Sequence, residues 1–111
     1  MSDRIHVDHD RNDRFTVQVR GHTVAVDQPV DNGGDDTAAT PTELFLAALA
    51  ACVAFYGRRF LARHGIAADG LAVDLDYTAG GRPNRVTGIE IRVTPPPGLP
   101  PERRAAFLAV A

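Results

Sequence analysis

The chain has 111 residues and a single cysteine, Cys52. That excludes an internal disulfide and fits a reducing compartment, so a cytoplasmic setting is expected. Lysine is absent: all twelve basic residues are arginine, a compositional bias rather than a binding device. The net charge of −2 gives no basic footprint for nucleic acid or an anionic membrane. The opening Met1-Ser-Asp-Arg-Ile-His6 has no apolar stretch, so no signal peptide is expected. The longest apolar run, Leu44 to Tyr56, is shorter than the roughly 18 residues of a spanning helix, and it reads as a segment buried in protein. There is no internal repeat, and the length suits one domain, 1–111, small enough to gain stability from pairing with a copy of itself.

Hydrophobic periodicity divides the rest. A short strand is expected around Arg4–Asp8, followed by a turn over Asp8–Asp13. From Arg14 to Arg20 the residues Phe15, Val17 and Val19 alternate with Thr16, Gln18 and Arg20, which predicts a strand. Gly21-His22 is a tight connection to a second strand over Thr23–Asp27. Residues 28–39 read as a long loop. The spacing predicts a helix over 41–64, roughly 36 Å long, with Thr40 as N-cap, Pro41 at the first position and Glu43 completing a capping box. Arg58, Arg59, Arg63 and His64 match the dipole at its far end, and Gly65 stops it. Its first turns are apolar on every side, so a wrapping of this helix by its own sheet and by a partner subunit is expected. A strand over Leu71–Tyr77, a turn over Gly80–Asn84 and a strand over Val86–Thr94 follow. Pro95-Pro-Pro-Gly98 ends the last strand, and a second helix starting near Leu99-Pro-Pro-Glu102 runs to Ala111 without a stop signal, as though cut inside an element.

The order of elements, with a cysteine in the apolar helix, resembles the OsmC family (osmotically inducible protein C and the organic hydroperoxide resistance, Ohr, proteins), in its broader OsmC-like branch. The resemblance is carried by Gly21-His22, Asp27-Gln-Pro29, Gly33-Gly34 and Pro41-Thr-Glu43-Leu44 leading to Ala50-Ala51-Cys52, with matching Pro41–Cys52 spacing, over roughly residues 14–108. It implies an α+β OsmC-like fold, with antiparallel sheets wrapped around a long buried central helix in a swapped homodimer, lacking here its C-terminal helix end and last strand. It also implies thiol peroxidase chemistry. The helix cysteine attacks an organic hydroperoxide, becomes a sulfenic acid, and is resolved by a second cysteine further along, with a lipoyl-type dithiol as reductant and no cofactor. The sequence departs from the peroxidase pattern in having no second cysteine and in carrying Thr42 where the peroxidases carry glutamate directly after the proline.

Each candidate residue has two readings. Cys52 is either the nucleophile or a small buried packing residue. Arg20, or Arg14, is either the strand arginine that meets the thiol or a solvated side chain. Glu43 is either catalytic or simply the capping-box acid, and it falls about half a turn out of phase with Cys52 on a helix of about 3.6 residues per turn. Arg59 shares the Cys52 face but lies two turns on. Phe45, Leu49, Phe55 and Tyr56 would form an apolar substrate surface that favours bulky organic hydroperoxides over hydrogen peroxide. His22 could orient a group at the site, or be a plain hairpin histidine. His6-x-x-His9 with Asp8 and Asp10 has donors but lacks the rigid outer shell of a metal site, and no metal is expected. The alternative to peroxide reduction is a non-catalytic homodimer of the same fold that binds a small apolar ligand, with Cys52 as packing.

Overall fold

The structure, a computed structural model, describes residues 4–111; the first three residues of the opening segment Met1–His6 lie outside them. The chain forms two compact units, residues 1–45 and residues 46–111. In the first, strands β1 (Ile5–Arg11), β2 (Arg14–Val19) and β3 (His22–Val26) form an antiparallel sheet in that order. The register pairs Val7 with Val17, Val17 with Val24 and Phe15 with Val26, so the alternation read from sequence stacks the valines on one face. The expected turn over Asp8–Asp13 is shorter than that. β1 continues through the charged residues to Arg11, where the register shifts, and Asn12 turns the chain at φ 50°. The cross-strand bonds to β2 outweigh the polar composition there.

The connection after β3 is a folded loop containing a single turn of 3-10 helix, Val30–Asn32. It leads into α1 (Pro41–Arg63). The capping box is formed in both directions. Thr40 N–H donates to Glu43 Oε1 at 2.8 Å, and Glu43 N–H donates to Thr40 Oγ1 at 3.0 Å. At the other end Gly65 adopts φ 67°. Ile66 N–H reaches Leu61 O at 2.9 Å and Gly65 N–H reaches Ala62 O at 3.2 Å, the paired bonds of a Schellman cap.

In the second unit, β4 (Ala72–Gly80) and β5 (Arg85–Thr94) form an antiparallel pair, and a 3-10 turn, Pro101–Arg103, precedes α2 (Arg104–Val110). Phe60 and Leu61 of α1 form a core with Leu99 and Phe107, to which Ile66, Leu71 and Val93 add. The Phe60 and Phe107 rings meet edge to face, 5.8 Å between centroids. Gly57 belongs to this core because its missing Cβ is where the Phe107 ring lies: an added carbon would sit 3.1 Å from Phe107 Cε1. Burial of each large apolar side chain contributes about 1.5–3 kcal/mol.

The expected wrapping of the apolar helix by its own sheet is not observed. Of α1 only Leu46, Gly57, Phe60 and Leu61 are buried, while Phe45 and Tyr56 are 66% and 55% exposed. The elements within one chain are too few to enclose every side of the helix. By length and composition α1 would also suffice to cross a bilayer, which the apolar run in the sequence did not suggest. Its last third is instead committed to the core with Leu99 and Phe107.

Candidate functional site

Cys52 lies in the middle of α1, and its thiol is exposed in the single chain rather than buried as the sequence suggested. Helical spacing puts Leu49, Phe55 and Tyr56 beside it, at three and four residues' distance. All three are exposed, and the Phe55 and Tyr56 rings meet edge to face at 5.2 Å. Arg59 turns back along the helix, with its guanidinium carbon 4.7 Å from the centre of the Phe55 ring. The second unit therefore presents a thiol within an apolar helix face that ends in a cation held on an aromatic ring. Phe45 is instead one wall of an apolar hollow in the first unit, about 440 Å³ in volume, lined also by Val7, Phe15, Val17, Val26, Pro41 and Leu44.

Arg20 is not on β2. It occupies the turn between β2 and β3 at φ 56°, exposed to solvent. Gly21 follows it, and the two-residue connection requires a left-handed conformation that the arginine itself adopts. Glu43 is engaged in the capping box, which accounts for its position. His22 opens β3 and is exposed. His6 Nε2 and Asp8 Oδ1 lie 2.8 Å apart and His9 Nε2 lies 2.8 Å from Asn12 O. Among the described residues no group of histidine, cysteine and carboxylate side chains is arranged to hold a metal. His64 Nδ1 lies 2.9 Å from Phe60 O, at the C-terminal end of α1.

Sequence reasoning named Asp27 only as part of a motif and gave it no role. The structure makes it the polar centre of the first unit. It is 1% exposed. Thr37 donates to its Oδ2 twice, from the hydroxyl at 2.6 Å and the backbone N–H at 3.0 Å, and Gln28 N–H donates to Oδ1 at 2.7 Å. These donors hold the carboxyl well below the usual carboxylate range, at about 2: the Thr37 hydroxyl contributes most, then the Thr37 and Gln28 N–H groups, against a smaller opposing effect of burial. Gly34 fits against this carboxylate because it has no side chain; a Cβ there would collide with the Gln28 carbonyl. The Asp27-x-Pro29 and Gly33-Gly34 pairs mark this loop in the sequence, but nothing local records that donors converge on Asp27.

Arg14 joins the same network. It donates from Nη1 to Thr37 Oγ1 at 2.7 Å and from Nε to Asp10 Oδ2 at 2.8 Å. Asn12 Nδ2 donates to Gly33 O at 3.1 Å, so two side chains of the β1–β2 hairpin fasten the loop after β3.

Solved structures share this fold, two of them as follows. A protein from Psychrobacter arcticus 273-4, named for osmotic stress induction and a detoxification response, superposes with a TM-score of 0.87 at 22% identity, over 96% of this chain and 79% of that one. An organic hydroperoxide resistance protein OsmC from Legionella pneumophila superposes with a TM-score of 0.71 at 19% identity, over 99% of this chain and 81% of that one. No curated protein sequence matches the chain. The family model of OsmC-like proteins matches residues 33–111, from the Gly33-Gly34 pair through the thiol-bearing helix to the last residue given, and the chain belongs to that family.

Proposed function

We propose that the protein reduces organic hydroperoxides with Cys52 as the nucleophile. The observation that supports this reading is a free thiol open to solvent on an apolar helix face. An alkyl or aryl hydroperoxide would lie along Leu49, Phe55 and Tyr56, with Phe45 as a further apolar contact. Hydrogen peroxide would gain nothing from that surface.

The thiolate sulfur attacks the terminal oxygen of ROOH. The S–O bond forms as the O–O bond breaks, and the departing alkoxide takes the proton the thiol gave up. The products are an alcohol and a sulfenic acid: sulfur has lost two electrons and the peroxide has gained them. One thiol of a lipoyl-type dithiol then displaces the oxygen as water and forms a mixed disulfide with Cys52. The second thiol of the same dithiol attacks that bond, releases Cys52 as the thiol and closes the reductant to its own disulfide, so the dithiol supplies both electrons. In the homodimer, Arg14 of β2 or Arg20 of the turn after it would supply the cation that a thiolate needs, with Glu43 as the acid of the set. We place this activity in the cytoplasm, in a swapped homodimer whose second copy covers the apolar face of α1. That face is open in one chain, and the β4–β5 pair, with Tyr77 and Ile91 exposed, would also gain from further strands. The OsmC-like domain would span residues 1–111.

The hollow beside Phe45 supports a second reading, a non-catalytic dimer that holds a small apolar ligand there. The two are separated by mass spectrometry after stoichiometric cumene hydroperoxide. Peroxide reduction predicts rapid oxygen gain at Cys52 and loss of turnover in Cys52→Ser. A wild-type mass that stays unchanged, or a serine variant with full turnover, leaves the binding reading.

A further inference from the structure

Asn32 and Gly33 are exposed at the end of the 3-10 turn, and Gly34, next in the chain, is buried. An asparagine followed by glycine is suited to attack by the backbone nitrogen on the side-chain amide. The glycine has no Cβ to crowd the approach, and it reaches conformations that other residues avoid. The other two asparagines, Asn12 and Asn84, are followed by Asp13 and Arg85. In the closed turn the Gly33 nitrogen is occupied. Its N–H donates to Val30 O at 3.0 Å, while Asn32 N–H and Gly34 N–H donate to Pro29 O at 3.0 and 3.1 Å. Asn12 Nδ2 holds the Gly33 carbonyl from the β1–β2 hairpin, at 3.1 Å. A single surface turn held by so few bonds opens locally, at a lower free energy than the sheet. The residue after it tolerates no displacement. A Cβ on Gly34 would collide with Gln28 O and lie 2.8 Å from Asp27 Oδ1, so the backbone there is seated directly on the buried carboxylate.

We propose that Asn32–Gly33 is a self-modifying site, gated by the turn, and that its conversion releases the loop from Asp27. When the turn opens, hydroxide takes the Gly33 N–H proton and the nitrogen attacks Asn32 Cγ. The new bond closes a five-membered imide as the bond from Cγ to the amide nitrogen breaks. That nitrogen leaves as ammonia with a proton from water, which regenerates the hydroxide. Water then opens the imide at either carbonyl. One opening gives aspartate at position 32; the other gives isoaspartate, in which the main chain runs through the side-chain carbons. Nothing is oxidised or reduced: the net reaction consumes a water and releases an ammonia. Aspartate adds only a charge beside Asp31, Asp35 and Asp36, all exposed. Isoaspartate adds a carbon to the backbone between Pro29 and Gly34, which the Gly34–Pro29 hydrogen bond and the seating of Gly34 on Asp27 cannot absorb. The reaction uses none of the residues assigned to peroxide reduction.

The test follows the full chain in mildly alkaline buffer, native and in urea, by peptide mapping with mass spectrometry at Asn12, Asn32 and Asn84. Asn32 is expected to convert fastest in both states, and more slowly in the native chain than in urea. Asn12→Gly keeps the left-handed turn at φ 50° and removes the tie to the Gly33 carbonyl. It is expected to raise the native rate at Asn32 roughly threefold to tenfold, the equivalent of a single hydrogen bond. The isoaspartyl fraction, separated by chromatography, is expected to melt below the wild type. Asn32→Asp, which carries the charge without the extra backbone carbon, is expected to melt with the wild type. Conversion at Asn32 no faster than at Asn84 in the native chain overturns the site. A native rate equal to that in urea, or no acceleration in Asn12→Gly, overturns the gating by the turn. An isoaspartyl fraction as stable as the wild type overturns the release of the loop.

Discussion

In residues 4–45 the most deeply buried side chain is a carboxylate, and the segments around it are joined by hydrogen bonds that converge on Asp27 and Thr37. In residues 46–111 the corresponding places are taken by Leu61 and Phe107, and the contacts are apolar. Both solutions arrest a loop. The polar one depends on direction: a shift of one donor leaves a charge unsatisfied. The apolar one depends on volume: what matters is that the space is filled. The two units should accordingly fail in different ways, and substitutions in each can establish whether they do.

The largest effect is expected in the apolar unit. Phe107→Ala removes a ring that is 1% exposed and packed on both Phe60 and Gly57. It should cost about 3–5 kcal/mol in denaturant unfolding, with little dependence on pH. A loss well below that range would mean the site collapses easily, and the volume argument would fail. Next comes Gly34→Ala in the polar unit. The new methyl would meet the Gln28 carbonyl and lie 2.8 Å from Asp27 Oδ1. Displacing backbone is expected to cost about 1–3 kcal/mol or more. A neutral result would show that the loop after β3 can move and that the close packing is incidental.

Asp27→Asn sharpens the contrast through pH. The carboxyl falls from an ordinary 3.8 to about 2 in the folded chain, so the stability it confers is complete above pH 3.8 and disappears as pH falls through 2. The wild type should therefore lose stability in acid over that window. The asparagine variant, which puts N–H donors where Gln28 and Thr37 already donate, should melt several degrees lower at neutral pH and lack that acid limb. Circular dichroism melts from pH 2 to 7 would show both. An acid limb that survives in the variant would assign it to other carboxylates. Thr40→Ala is expected to cost about 1 kcal/mol through the loss of one side of the capping box. Glu43→Gln keeps the box, so a loss of peroxide turnover in a stable Glu43→Gln protein would separate chemistry from capping.

The sequence disclosed the apolar unit more fully than the polar one. The alternation of Val73, Leu75 and Ile91 and the breaks at Gly65 and Pro95 bound the elements there, because period and breaker act locally. Capping at Thr40 and Glu43 was legible for the same reason. Three features were not. β1 runs through Asp8–Arg11 because a cross-strand partner overrides composition. Arg20 leaves the strand because the tight turn takes it. Asp27 gathers donors from residues up to ten positions away, and no periodicity records such a convergence. Of the candidate site, the placement of Phe55 and Tyr56 beside Cys52 follows from helical spacing. The exposure of Cys52 does not, since an apolar run shows only that something should cover it.

The smallest effect is expected at the surface ion pairs of β4 and β5, and it tests whether charge matters by its sign or by its burial. Arg92 donates to Asp76 at 2.6 Å and to Glu90 at 2.9 Å, better distances than some of those around Asp27. The two carboxylates raise its pKa further above the ordinary arginine value, Asp76 contributing most. By bond count this group rivals the Asp27 cluster. Yet its side chains are more than half exposed, so water and salt compete for every contact, and long side chains must be ordered to make them. Arg92→Gln should therefore leave the unfolding midpoint within experimental error and remove a faint salt dependence. A clear destabilisation would mean that the β4–β5 face is covered in the assembled protein, and the division between a polar and an apolar unit would no longer hold.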